Sequence, residues 1–195
     1  MKLNSASSLR DVVAEVGSVL ARGSVSAVLT GGACASIYSR GIYQSADVDF
    51  ILVSNTTRQR LDELLGIAGL HRSGDRYVHP EVRYYVEFPR GPLTIGSDDE
   101  IVPVEVTVNG RSFLALSTTD SCRDRLAAFY HWRDQQSFRV AVWIALQKEL
   151  DLNVIRRWSA REGFAADYRE FLSELDRVRA ERSRRRATRR TGRRS

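Results

Sequence analysis

The stretch Ala27–Val53, AVLTGGACASIYSRGIYQSADVDFILV, constrains the fold more than any other part of the chain. Phe50 to Val53 is an apolar run suited to the interior of a sheet, yet Asp47 and Asp49 lead into it on either side of Val48. Residues two apart in a strand project to one face, so these carboxylates point together. Two anions side by side at the mouth of a buried strand cost stability unless a cation sits between them. A divalent ion meets that need, and hard oxygen donors suit Mg²⁺ or Mn²⁺, which also bind phosphate oxygens. Gly31 and Gly32 end the preceding strand. Their missing side chains let a ligand approach the backbone, and the N-terminus of the following helix attracts anions. Either half alone is commonplace, as a turn or as a solvated strand end. Together they read as a phosphate cradle beside a metal site.

The rest of the chain builds a frame for this segment. Ser8 opens an amphipathic helix with Leu9, Val12, Val13, Val16, Val19 and Leu20 at helical spacing and Gly23 as its stop. A strand in SAVLTGG, a short helix in ACASIYS and a strand in DVDFILV follow. TTRQRLDELLGIAG is a predicted helix with Thr56 or Thr57 as N-cap. DRYVHP and RYYVEFP read as a hairpin around Pro80 and Glu81, and Asn109-Gly110 separates two apolar runs in the strongest hairpin signal of the chain. From STTD onward every segment is helical in pattern. The fold class is α+β, a mixed sheet with flanking helices followed by a C-terminal helical part. The predicted divisions are a core over residues 1–118, a helical region over 119–180 and an Arg-rich, disordered tail over 181–195.

Charge matters here because it is uneven. The net charge is +6, but ten Arg against Asp176 and Glu181 fill the segment from residue 176 onward, which leaves the preceding chain slightly acidic. Such a tail is an electrostatic handle for nucleic acid, or a solubilising extension with no specific partner. No apolar run approaches a membrane span, and the first residues lack the apolar core of a secretory signal. Cys34 and Cys122 lack metal-ligand spacing to any His, so free thiols in a cytoplasmic setting are expected.

The pattern Leu29-Thr30-Gly31-Gly32, then Asp47-Val48-Asp49-Phe50, resembles the nucleotidyltransferase superfamily with the DNA polymerase beta-like palm. GGACASIY and YQSADVDFIL look most like its small bacterial AbiEii-type, toxin-antitoxin members. The resemblance is specific over residues 27–53 and diffuse through residue 140. It implies a nucleotidyltransferase-like sheet, an NTP substrate, Mg²⁺ or Mn²⁺, and transfer of NMP to an acceptor, with a tRNA 3′ end foremost and a protein or small molecule as alternatives. A cognate antitoxin is an implied partner. It also implies a third carboxylate on a later strand, which binds metal or takes the proton of the incoming hydroxyl. Glu87 in YYVEF is favoured over Glu105 in PVEVT, because its flanking residues bury the opposite face.

The chain departs from the family in two places. Gly32-Ala33 stands where many members have Gly-Ser, so phosphate rests on backbone N–H groups, Ser36 or Ser45. No Lys occurs in the helix Ser121–Asp134, where Arg125 is the substitute. Helical projection puts Arg125 between Phe129 and Trp132 on a largely apolar side, and a cation there needs an anionic partner: a nucleotide phosphate, Glu87 or Asp124. Gly31, Gly32, Ser45 and Arg125 are thus the expected nucleotide contacts, and Asp47, Asp49 and Glu87 the metal-binding and catalytic set. A catalytically inactive nucleic-acid-binding or antitoxin-like module is the alternative to an enzyme.

Overall fold

A computed structural model describes residues 2–191, with side chains through Arg185. The first helix, α1 (Leu9–Arg22), starts where its sequence demands. Ser8 accepts from the Asp11 backbone N–H and Asp11 answers with its carboxylate, a reciprocal cap, while Leu9, Val12, Val13, Val16, Val19 and Leu20 are all buried. Seven strands follow in one mixed sheet: β1 (Ala27–Leu29), β2 (Asp47–Leu52), β3 (His71–Ser73), β4 (Arg76–His79), β5 (Val82–Glu87), β6 (Val104–Val108) and β7 (Arg111–Ala115), in the spatial order β3-β4-β5-β2-β1-β7-β6. Hairpins join β4 to β5 and β6 to β7, the latter across Asn109-Gly110. The long-range pairings decide the layout. β1 runs antiparallel to β2 and parallel to β7, and β2 runs parallel to β5.

Helices α2 (Gly31–Tyr38) and α3 (Arg58–Ile67) connect these strands, with Thr57 supplying the side-chain cap of α3. Four helices complete the chain: α4 (Thr118–Trp132), α5 (Gln135–Gln147), α6 (Leu152–Arg161) and α7 (Ala165–Thr191). Sheet and helices share one apolar core, in which Phe50, Phe129, Trp158 and Phe171 are fully buried. The α7 backbone stays helical past Glu181 through Thr191; residues 192–195 of the expected tail lie outside the described residues. β3 is an addition to the sequence reading. All three of its residues are exposed, so it carries no periodicity, and only the Gly74-Asp75 pair before Arg76 marks its hairpin. Trp132 is a correction. The helical projection counts it with the apolar side, but α4 ends there, at a left-handed Arg133 (φ 54°), and the indole is 77% exposed. Cys34 and Cys122 are free and buried, and no helix among the described residues is long and apolar enough to cross a membrane.

Candidate active site

Register brings the acids together. Along β2, Val48 and Phe50 are fully buried while Asp47 and Asp49 are half-buried on the opposite face. In β5, Tyr84 and Val86 are buried and Tyr85 and Glu87 alternate with them. The parallel pairing sets Tyr85 opposite Asp47 and Glu87 opposite Asp49. Asp47, Asp49 and Glu87 therefore share one face, with carboxylate oxygens within 4.8 Å of one another. Glu105 sits on the exposed edge strand β6, with β7 and β1 between it and β2, so it cannot join this group.

Electrostatics records the crowding. Burial, then the charges of Asp47 and Glu87, push the pKa of Asp49 up to about 6, against a partial offset from Arg125. Three convergent carboxylates with one driven toward protonation form a donor set that fits a hard divalent cation, Mg²⁺ or Mn²⁺. The same charges reach Tyr85, whose hydroxyl is pushed above its ordinary pKa first by Asp47, then by burial and Glu87.

The glycines fit the site closely. α2 begins at Gly31, so Gly31-Gly32 is the first turn of the helix rather than a turn preceding it. Gly31 has φ 62°, and a Cβ there would come within 2.5 Å of Asp49 Oδ2. A Cβ on Gly32 would meet Ser45 Oγ at 2.4 Å and the Tyr43 hydroxyl at 3.0 Å. Thr30 anchors this corner by donating its backbone N–H to the Asp49 carbonyl at 3.0 Å. The helix start is thus pressed against the acids with no side chain between them.

The remaining expected residues take more specific places. Ser45 donates its hydroxyl proton to Asp47 Oδ1 at 2.6 Å, which orients that carboxylate. Ser36 is buried; its hydroxyl donates to the Gly32 carbonyl at 2.9 Å and accepts the Ser45 backbone N–H at 3.0 Å. Its bonding is thus spent on holding the loop. Arg125 pairs with Asp124 through two hydrogen bonds, at 2.7 and 3.0 Å, so Asp124 is its anionic partner, not Glu87. Tyr43, half-buried, stands beside Gly32 and Ser45 at the rim of the cradle.

Two neighbours escape sequence reasoning. Arg76 in β4 lies directly opposite Glu87, and its guanidinium carbon is 4.8 Å from the centre of the Tyr85 ring. Both residues owe their place to cross-strand pairing, and the alternation of RYYVE, which puts Tyr85 on the same face as Glu87, was the available signal for Tyr85.

The sequence matches no protein-family model and no curated protein. The fold is similar to that of an antigenic nucleotidyltransferase-like protein from Paracoccidioides brasiliensis, with a TM-score of 0.56 at 16% identity over 92% of each chain. Two structures of the antibiotic-resistance factor ANT(2″)-Ia are less similar, both at 13% identity. The complex with adenylyl-2″-tobramycin has a TM-score of 0.49 over 83% of this chain and 97% of that one, and the solution structure 0.46 over 88% and 97%. The seven-stranded mixed sheet with its flanking helices is a nucleotidyltransferase-like fold.

Proposed function

We propose that this protein is a metal-dependent nucleotidyltransferase that moves NMP from an NTP to an acceptor hydroxyl, with the 3′ end of an RNA, tRNA foremost, as the acceptor. The observation that carries this reading is the convergence of Asp47, Asp49 and Glu87 within 4.8 Å, against a helix start free of side chains. Mg²⁺ or Mn²⁺ held by these three carboxylates supplies charge stabilisation for the phosphates. Ser45 keeps Asp47 in position, and the β2–β5 pairing fixes Asp49 relative to Glu87. The backbone N–H groups at the start of α2 face the anionic phosphates, where their partial positive charge is best used. The acceptor oxygen bonds to the α-phosphorus as the α–β bridging bond breaks and pyrophosphate departs. The hydroxyl proton passes to Glu87. Arg125, paired with Asp124, offsets only part of the negative charge around Asp49.

The wording of residues 27–53 and the Arg-rich C-terminal segment support RNA and a toxin-antitoxin or phage-defence role in the cytoplasm, with a cognate antitoxin as protein partner. Purified protein incubated with each α-labelled NTP, Mg²⁺ or Mn²⁺ and total tRNA, beside Asp49→Ala, tests the reading. Label on RNA that disappears in the variant supports it and names the nucleotide. RNA binding without transfer under any metal and NTP would sink it in favour of a binding module.

A further inference from the structure

The acid face of the sheet continues past Glu87. Cross-strand partners share a face, and the registers Asp49 with Glu87, Glu87 with Arg76 and Arg76 with Ser73 form one row across β2, β5, β4 and β3. Tyr85, two residues before Glu87 on β5, lies on that face too. Arg76 is exposed, with its guanidinium carbon 4.8 Å from the centre of the Tyr85 ring.

An arginine placed only to balance charge would pair with the acid opposite, as Arg111 does with Glu15 at 2.9 Å. Arg76 does not. Among the described residues its guanidinium makes neither an ion pair nor a hydrogen bond, although Glu87 is its direct cross-strand neighbour. Arg83, further along the same face of β5, is occupied instead, donating to the Tyr84 hydroxyl at 2.6 Å and to Gln44 at 3.4 Å. The Tyr85 ring thus holds Arg76 by its π face and leaves its N–H donors unspent. It also keeps the cation off Glu87, where an ion pair would compete with a metal.

The sheet order gives the row a direction. The Gly31 start of α2 abuts Asp49 at one end, and Arg76 lies beyond Glu87 at the other. In phosphoryl transfer the entering and leaving oxygens lie roughly in line, on opposite sides of phosphorus. A nucleotide with its phosphates on the cradle receives its acceptor from the Glu87 side, where Arg76 stands.

Resting on the transferase reading, we infer that Arg76, held by Tyr85, binds the acceptor: its guanidinium takes the last phosphodiester of an RNA 3′ end and sets the terminal hydroxyl beside Glu87. That phosphate and that hydroxyl are one sugar apart, a span comparable with the single strand spacing between Arg76 and Glu87. The guanidinium fork matches phosphate geometry.

The test is fluorescence anisotropy of a short 5′-labelled single-stranded RNA with the full chain, in Mg²⁺ without NTP. A natural probe is compared with probes carrying one neutral methylphosphonate, at the last link or in the middle. The terminal substitution should weaken wild-type binding about fivefold and the middle one less. Arg76→Gln should bind the natural probe about fivefold more weakly, and the terminal methylphosphonate should then cost less than about twofold more, because the contact is already gone. Tyr85→Phe keeps the ring and should stay within about twofold of the wild type, whereas Tyr85→Leu should lose about threefold. Equal terminal losses in the wild type and Arg76→Gln would overturn the inference. A middle substitution as costly as the terminal one would overturn it too, by putting the RNA on the C-terminal arginines. So would weakened NTP binding by Arg76→Gln with RNA binding intact, which would place Arg76 on the triphosphate. No turnover is read, so absent transfer counts against the transferase reading and not against this contact.

Discussion

Two half-buried charge clusters, one on the sheet and one where α4 meets the loop before β6, handle the same problem in opposite ways. Around Arg123, which is 3% exposed, the carboxylates of Asp98 and Asp120 both accept from one guanidinium, and Arg161 approaches Asp98 from the rim. Trp158 lies under the guanidinium, 5.1 Å from its carbon. Burial alone would raise the pKa of Asp98, but the hydrogen bonds from Arg123 and the Glu100 backbone outweigh it and hold the carboxyl below its usual range. At the β2–β5 site three carboxylates converge, and burial together with Asp47 and Glu87 drives Asp49 the other way, up to about 6. The first cluster balances its charges as the chain folds, although the buried Arg123 Nε has no hydrogen-bond partner among the described residues. The second gathers three carboxylates with a net negative charge, a donor set that a divalent cation would balance, and that contrast separates a clamp from a candidate site.

The sharpest way to break this contrast is to neutralise one member of each cluster. Asp49→Asn should lower transfer at least about 10³-fold, because it removes a donor on which transition-state charge stabilisation depends. In metal-free buffer the same change should stabilise the fold. The native carboxyl, near pKa 6, holds its proton more tightly than the unfolded one near 3.8, so wild-type stability falls as pH rises from about 4 to about 6. The loss is at most about 3 kcal/mol at 1.36 kcal/mol per unit. Thermal unfolding at pH 4 and 7.5, with EDTA or Mg²⁺, reads this directly. Wild type should lose stability between the two pH values in EDTA and regain it with Mg²⁺, and the variant should do neither. A variant less stable than wild type at pH 7.5 in EDTA would remove the distinction between the clusters.

At the other cluster, Arg123→Ala should destabilise by about 3 kcal/mol, since Asp120 would lose its ion pair and Asp98 would keep only the rim-exposed Arg161. Chemical denaturation measures it. The effect should be insensitive to Mg²⁺. A loss under about 1 kcal/mol would mean that water already screens the network.

What the sequence discloses follows the same divide between local and long-range information. Asp47 and Asp49 stand out because a period of two and a contrast with Val48 and Phe50 are local properties of one strand. α1 is legible to the residue, because its cap and its apolar stripe lie in one contiguous segment. Glu87 against Glu105 is different: YYVEF and PVEVT have the same alternation, and only the choice of β5 as the partner of β2 separates them. Arg76 is hidden for the same reason, since a cross-strand neighbour has no fixed separation in sequence. Arg125 shows an intermediate case. Its helix face follows from spacing, but the selection of Asp124 over a phosphate or Glu87 is made by geometry one residue away.

The smallest difference worth measuring lies in how each cluster holds its carboxylates. Asp120 is kept by its own helix cap, Ser117, as well as by Arg123, so it has two supports. Asp47 has Ser45, at 2.6 Å, as its hydrogen-bonded support. A hydroxyl that orients a metal-binding carboxylate affects affinity or activity about 10–100-fold, and the lower end applies here because β2 already fixes the backbone of Asp47. Ser45→Ala should therefore raise the Mg²⁺ concentration needed for half-maximal transfer about tenfold, with little change in rate at saturating metal. Ser45→Thr, which keeps the hydroxyl, should recover most of it. A loss in saturated rate with unchanged metal dependence would instead place the Ser45 hydroxyl on the nucleotide, and the two clusters would then differ in ligand as well as in charge.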